Sequence, residues 1–349
     1  MNAEDTCTRT PTDLPFDSER LRSWLRSAGI WSGPMSLRRI GDGHSNLTYA
    51  ITGDQPTLVL RRPPPPPLPP GANDMLREAR ILTALAGTDV PVPAVLAVAE
   101  AGEVMDVPCY VMQHLDGVIG ADGLPPELDR PAVRGEVAEA FLDTLVAIHA
   151  VDWRAEALRS LGRPDGFLQR QLDRLPRLVA EPDGSLPKPF GQLRDRLRAT
   201  MPTGGEPALL HGDYRLGNVM LAPRPPARML GVLDWELAGI GDPLADLAYT
   251  LVTYAVPDEP LHALTALSKA TREDGFPTRE SLARRYADAT GRDLSPLPWY
   301  EAFQLFKLAV LFEYNRRRTV TEADADPFYA DPELVRGLLE AASACYDRG

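Results

Sequence analysis

A chain of 349 residues, 44% apolar and 25% charged, exceeds one ordinary hydrophobic core and is expected to form two lobes of a soluble globular protein. Its net charge of −12 argues against nucleic acid, whose phosphates require a basic face. No segment approaches the ~18 apolar residues that would span a bilayer, so no membrane partner is expected.

Cys7, Cys109 and Cys345 are odd in number and widely spaced, unlike a disulfide framework or a zinc cluster, and read as reduced thiols of a cytoplasmic protein. Glu4, Asp5, Asp13, Asp17 and Glu19 precede any long apolar stretch, which leaves no room for a signal peptide.

Residues 1–15, polar and threonine-rich, are expected to be a flexible terminus. Leu21, Trp24 and Leu25 then suit a short amphipathic helix over 18–28. Strands follow around Leu37, 47–51, 57–61, 95–98 and 110–113, interrupted by one helix over 74–85 with Asp74 as its N-cap. Residues 16–113 thus read as a small sheet lobe. The run "RRPPPPPLPPG" at 61–71 invites a reading as a polyproline ligand, but its place between a strand and a helix of one lobe favours a stiff extended connection.

Beyond Leu115 the apolar spacing turns helical, beginning with Val133, Val137, Phe141, Leu145 and Ile148. Further helices are expected over 167–179, 244–254, 261–270, 279–289, 299–318 and 332–346. Residues 114–349 therefore read as a mainly α-helical second lobe, and the whole chain as α+β.

Inside that lobe, "LLHGDYRLGNVML" at 209–221 interrupts an apolar run with His211, Asp213, Arg215 and Asn218. A proline-rich turn at 222–227 separates the strand-like runs 219–221 and 229–233, which predicts a hairpin. Asn218 and Asp234 lie eight residues either side of Pro226, so antiparallel pairing should bring them together at its open end. An amide oxygen and a carboxylate make a hard-oxygen site of the kind Mg²⁺ accepts. Asp213, a carboxylate that is not a ligand, is then placed to orient and deprotonate an attacking hydroxyl. Singly, each residue also fits a structural role, Asp213 and Asn218 bonding turn backbone and Asp234 capping a helix. Their joint order is the catalytic-loop and metal-loop pattern of the kinase superfamily.

"LLHGDYRLGNVML" followed by "GVLDWELAGIGDPLADLAY" resembles the aminoglycoside phosphotransferase family, small-molecule kinases with a bilobal protein-kinase-like fold. The subgroup that includes the kinase domains fused to acyl-CoA dehydrogenases is the most similar. The resemblance covers roughly 37–342. It implies a small antiparallel sheet lobe with one main helix, a larger helical lobe, Asp213 as catalytic base, Asn218 and Asp234 as magnesium ligands, and Asp246 as a brace of the catalytic loop.

ATP as donor requires a phosphate cover and a cation in the first lobe. "IGDGHSNLTY" at 40–49 supplies Gly41 and Gly43 for a tight turn and Ser45 toward phosphate oxygens. The cation is Arg61 or Arg62 where protein kinases have lysine, with Glu78 as the helix partner. Arg61 is preferred because it shares a strand face with Val59. Arginine keeps the charge but is bulkier and forked. "CYVMQHLDG" at 109–117 is the expected adenine slot, with Met112 behind the ring and backbone groups of Gln113 to Leu115 at its edge.

Arg215 could neutralise the transferring phosphoryl group or form a structural ion pair with a neighbour. His211 is expected to hold the loop, His149 to be a core or helix-end residue, and Asp242, before Pro243, to cap a helix. Glu236 stands where protein kinases have the glycine of Asp-Phe-Gly, and no activation segment is evident, which favours a small-molecule acceptor over a protein. The expected activity is ATP- and Mg²⁺-dependent phosphoryl transfer to a hydroxyl of an aminoglycoside-like or hydroxyacyl metabolite. The alternative is a nucleotide-binding pseudokinase acting as an interaction module. Residues 298–349 hold nine acids and six bases, a balance of −3, too slight to announce a polycation pocket. Nothing in the pattern sets an oligomeric state.

Overall fold

The computed structural model describes residues 14–41, 46–65, 73–257, 259, 264–321 and 327–348. Residues 1–13 of the expected flexible terminus, and 66–71 of the polyproline run, lie outside them. The fold is α+β in two compact units. One holds the described residues of Met1–Gly87 and Pro91–Asp116 together with Asp234–Glu236, and the other those of Thr88–Val90, Gly117–Leu233 and Leu237–Gly349.

The first unit begins with α1 (Ser18–Ser27), started by Asp17, whose carboxylate accepts from the Glu19 amide at 2.8 Å. Strands β1 (Ser36–Ile40), β2 (Leu47–Thr52), β3 (Leu58–Arg62), β4 (Val95–Ala99) and β5 (Cys109–Gln113) form an antiparallel sheet in the order β1-β2-β3-β5-β4. Helix α2 (Met75–Leu85), capped by Asp74, connects β3 to β4. Leu21 and Leu25 of α1 pack with Tyr49, Ile51, Leu60, Cys109 and Val111 on one sheet face. Because side chains alternate along a strand, Val59, Arg61, Tyr110 and Met112 belong to the other. Parity thereby separates the two arginines. Arg62 is fully buried, its Nη1 donating to the Pro15 carbonyl at 2.9 Å and its guanidinium lying 5.6 Å from the Phe16 ring centroid.

In the second unit β6 (Val118–Ile119) precedes α3 (Pro131–Ala150), α4 (Phe167–Arg174) and α5 (Lys188–Ala199). The short strands β7 (Ala208–Leu210), β8 (Val219–Leu221), β9 (Met229–Val232) and β10 (Gly239–Gly241) follow. They form two ladders, β6-β8-β9 and β10-β7. Next come α6 (Pro243–Thr253), α7 (Arg279–Thr290), α8 (Leu297–Thr321) and α9 (Pro332–Tyr346). All of α6 is buried, and α8 packs against α5, α6 and α9.

Several features depart from the expected elements, among them the short strand β6 and the 3-10 turn at Leu175–Val179 that ends the helix expected over 167–179. Helix α5 was not foreseen because only Phe190, Leu193 and Leu197 anchor it among charged residues, a stripe too thin to stand out. The β7–β10 ladder consists of three-residue strands, too short to display a period. Of the helix expected over 261–270, residues 261–263 lie outside the described set and Thr265–Arg272 is a 3-10 turn pair broken at Ser268. There the Thr271 hydroxyl donates to the carbonyls of Ser268 and Ala255, both at 2.8 Å, and so competes with helical pairing.

Candidate active site

The loop between β7 and β8 is held from below by α6. Both oxygens of Asp246 accept backbone amides, from His211 at 2.6 Å and from Gly212 at 2.8 Å. Burial pushes Asp246 up, yet His149, whose Nε2 lies 3.5 Å away, and the His211 amide hold it below the usual carboxylate range. Gly212 has φ of +85° and a side chain there would lie 2.6 Å from the Leu237 carbonyl, so only glycine fits. His211 Nδ1 accepts from the Asp213 amide at 3.2 Å, which assigns its proton to Nε2, and Nε2 donates to the Leu233 carbonyl at 2.9 Å. Tyr214 stacks on Phe141 and donates to its carbonyl at 2.7 Å.

On this frame Asp213 gathers three side-chain donors. Asn218 Nδ2 reaches Oδ2 at 2.7 Å and the Asp213 carbonyl at 2.8 Å, while Arg215 Nε reaches Oδ1 at 3.3 Å. The Tyr249 hydroxyl, one turn beyond Asp246 on α6, also donates to Oδ1. Burial and the adjacent Asp213 charge push Tyr249 well above its ordinary range, so it stays a donor. Arg215 therefore forms the neighbouring ion pair that was one of its two expected roles. Asp242 caps α6 through the Leu244 amide and also accepts from the Gly205 amide and Tyr300. His149 is a core residue, bonded to the Tyr286 hydroxyl at 2.7 Å.

The hairpin forms, but one residue out of the expected register. Val219 faces Val232, and the Leu233 amide donates to the Asn218 carbonyl at 2.8 Å, so Asn218 is opposite Leu233 and not Asp234. The pair nearest the turn, Leu221 with Met229, is centred on Pro225 and not on Pro226, and a bulge between Met220 and Leu221 then moves the ladder by one residue. Asp234 follows directly, at the left-handed φ of +65°, a strained conformation for aspartate.

Asp234 belongs to the first unit, where it meets the β3 arginine. Arg61 Nη2 lies 3.2 Å from Asp234 Oδ1 and 3.3 Å from Glu78 Oε1. Glu78 is buried to 1% exposure, which pushes its carboxyl up, with Arg61 opposing and the Asp234 charge adding to the shift. Arg61 Nε is buried with no hydrogen-bond partner among the described residues. Asn46, unremarked in the sequence, donates to Glu236 at 3.1 Å and accepts from Asn73 at 2.8 Å. Gly41 adopts φ of +74°, whereas Gly43 and Ser45 lie outside the described residues. Met112 is buried opposite Val59, and Leu115 is half-buried. The Gln113 amide donates to the Ala94 carbonyl at 2.8 Å, because β5 is paired to its end.

The expected residues thus collect in two sets, Asp213, Arg215 and Asn218 in the second unit, and Arg61, Glu78 and Asp234 in the first. Because Nδ2 of Asn218 is taken by Asp213, Oδ1 is its remaining donor atom toward a cation. The Asn218 amide oxygen in the second unit and the Asp234 carboxylate in the first are each hard-oxygen donors of the kind Mg²⁺ accepts.

A two-lobe α+β fold that concentrates its polar contacts on one loop carboxylate and one strand arginine is organised as a phosphotransferase. Residues 36–283 match the model of the phosphotransferase enzyme family, and the chain belongs to that family, as a small-molecule kinase. It is 33% identical over 315 residues to mouse acyl-CoA dehydrogenase family member 10, covering 89% of this chain and 29% of that protein. The chain spans between 29% and 42% of the length of the curated relatives it matches. A Ralstonia eutropha structure, provisionally described as an aminoglycoside phosphotransferase, superposes with a TM-score of 0.78 at 28% identity over 95% of this chain and 99% of that one. Aminoglycoside phosphotransferase APH(4)-Ia, in ternary complex with AMP-PNP and hygromycin B, shares the fold alone, with a TM-score of 0.60 at 17% identity over 95% and 99% of the two chains. The resemblances read from the two motifs, to the family and to its dehydrogenase-fused subgroup, are borne out.

Proposed function

We propose that this chain transfers the γ-phosphoryl group of ATP to a hydroxyl of a small molecule, with Asp213 as the base. The observation that carries the reading is Asp213 itself: three side-chain donors orient its carboxylate, and Asp246 anchors the loop behind it. A hydroxyl hydrogen is the natural further partner of such a group, because an ionised carboxylate only accepts. As the acceptor oxygen bonds to the γ-phosphorus and the bond to ADP breaks, the hydroxyl proton passes to Asp213.

Asn218 and Asp234 would hold Mg²⁺, which when bound neutralises phosphate oxygens. Arg61, braced by Glu78, is the phosphate cation, and its unpartnered Nε suits an anionic oxygen. Gly41 opens the stretch expected to cover the phosphates. Met112 backs the adenine, with the Gln113 carbonyl and Leu115 at its edge. Arg215 sets the orientation of the base. The nucleotide complex of the neighbouring fold supports an ATP-type donor.

Among the described residues no helix is long and apolar enough to cross a membrane, and Cys109 and Cys345 are free thiols. Both fit a cytoplasmic enzyme acting on small molecules.

The test is ATP consumption against a panel of hydroxylated metabolites and aminoglycosides, followed by Asp213→Ala on whichever acceptor is taken. Loss of the base should lower kcat about 10²- to 10⁴-fold. An unchanged kcat would end this assignment.

A further inference from the structure

Helix α8 carries one cation within Leu297–Asn315, Lys307, in a stretch otherwise dominated by buried apolar and aromatic residues. Its ammonium lies 3.5 Å from the carbonyl of Gly212, the residue before Asp213, and 5.8 Å from the ring centre of Tyr249, whose hydroxyl binds Asp213. All of these groups belong to the second unit.

Several other partly or fully buried cations of the molecule have carboxylate partners: Arg61 with Glu78 and Asp234, Arg134 with Asp129, Arg279 with Glu259 and Arg316 with Glu313. Among the described residues no carboxylate oxygen lies within 4 Å of Lys307; its direct contacts are the Gly212 carbonyl and the Tyr249 ring face. A partly buried ammonium with so little compensation is costly to keep. Burial pushes it below the ordinary lysine range, with Asp246 and Asp213 opposing that shift.

Resting on the kinase reading above, we propose that Lys307 is a specificity-determining residue that binds an anionic group of the acceptor, a carboxylate or a phosphate carried a few bonds from the reacting hydroxyl. An anion there completes the missing ion pair and places the hydroxyl beside Asp213. A polycationic aminoglycoside would instead bring like charge against the ammonium.

The experiment compares matched acceptors on the full chain: 3- and 4-hydroxybutyrate against their methyl esters, glycerol 3-phosphate against glycerol, and kanamycin. The carboxylate and phosphate arms identify which anion is used. The wild type should favour at least one anionic member over its neutral partner by about tenfold or more in kcat/KM. Lys307→Met should bring that ratio close to one, chiefly through KM, and Lys307→Arg should retain most of it. A merely structural lysine would lower both rates without changing their ratio.

Calorimetric titration of the same anions in the presence of AMP-PNP reads binding without turnover. It therefore separates failure of this subsite from failure of the kinase reading. Equal use or binding of charged and neutral partners by the wild type overturns the proposal, as does absence of binding by every anion. So does a preference that survives Lys307→Met, or kanamycin as the best acceptor.

Discussion

Asp213 shows how few atoms a base needs around it when each is placed by something else. Asn218 reaches it from five residues away, Arg215 from two, and Tyr249 from thirty-six. The first two were legible in the sequence, because loop neighbours meet whatever the rest of the fold does. Tyr249 was not, since nothing in a buried helix says which tyrosine will touch which aspartate. Its hydroxyl stays protonated and donates, so Tyr249→Phe should lower kcat about tenfold to hundredfold by freeing the carboxylate to rotate, with KM for ATP little altered. Steady-state kinetics at saturating ATP would measure this, and wild-type kcat would refute it. The choice between Arg61 and Arg62 was also within reach of the sequence, because strand parity is local. Arg61 faces Glu78 while Arg62 turns to Pro15 and Phe16.

The β8–β9 hairpin and α6 are the elements that present the loop, and they were legible to different degrees. Two short apolar runs around a proline-rich turn announced the hairpin. Its bulge did not show, since one extra residue on a strand leaves the apolar pattern almost unchanged. Helix α6 announced its own start through Asp242 and Pro243. What it does beyond that start depends on Asp246, whose two oxygens satisfy backbone amides that would otherwise be buried unpaired.

Asp246→Asn should therefore cost about 2–4 kcal/mol of stability at pH 7. The sign with pH follows from the depressed folded value. The contribution is fully present above the unfolded aspartate value near pH 4 and is lost as pH falls through the lower folded one. The difference between wild type and variant in urea unfolding should thus narrow below about pH 4. A gap that widened on acidification would contradict the assignment.

At the scale of the molecule, each unit carries its own buried core, and after Asp116 the chain returns to the first unit for only three residues, Asp234–Glu236. Cys109 reports on the first of these cores. Burial pushes its thiol up to about 12, with Arg62 opposing, so at pH 8 almost none is thiolate in the folded state. Iodoacetamide should label it only as that unit opens, which mass spectrometry with and without denaturant would follow. Labelling of the native protein at the rate of a free thiol would show the core to be open.

By itself the sequence determined the two-lobe α+β division, the hairpin, the helix caps and the spacing that gathers Asp213 with Asn218. Each of these is written in periodicity or in contacts a few residues long. Asp246 was already implied as the loop's brace; only the tertiary structure decided that its oxygens would take the His211 and Gly212 amides, that Tyr249 would hold the base and that Lys307 would stand beside it without a carboxylate partner. Those contacts join residues 34 to 95 positions apart, and groups so distant in the chain leave no repeating signal for their pairing until the backbone between them has folded.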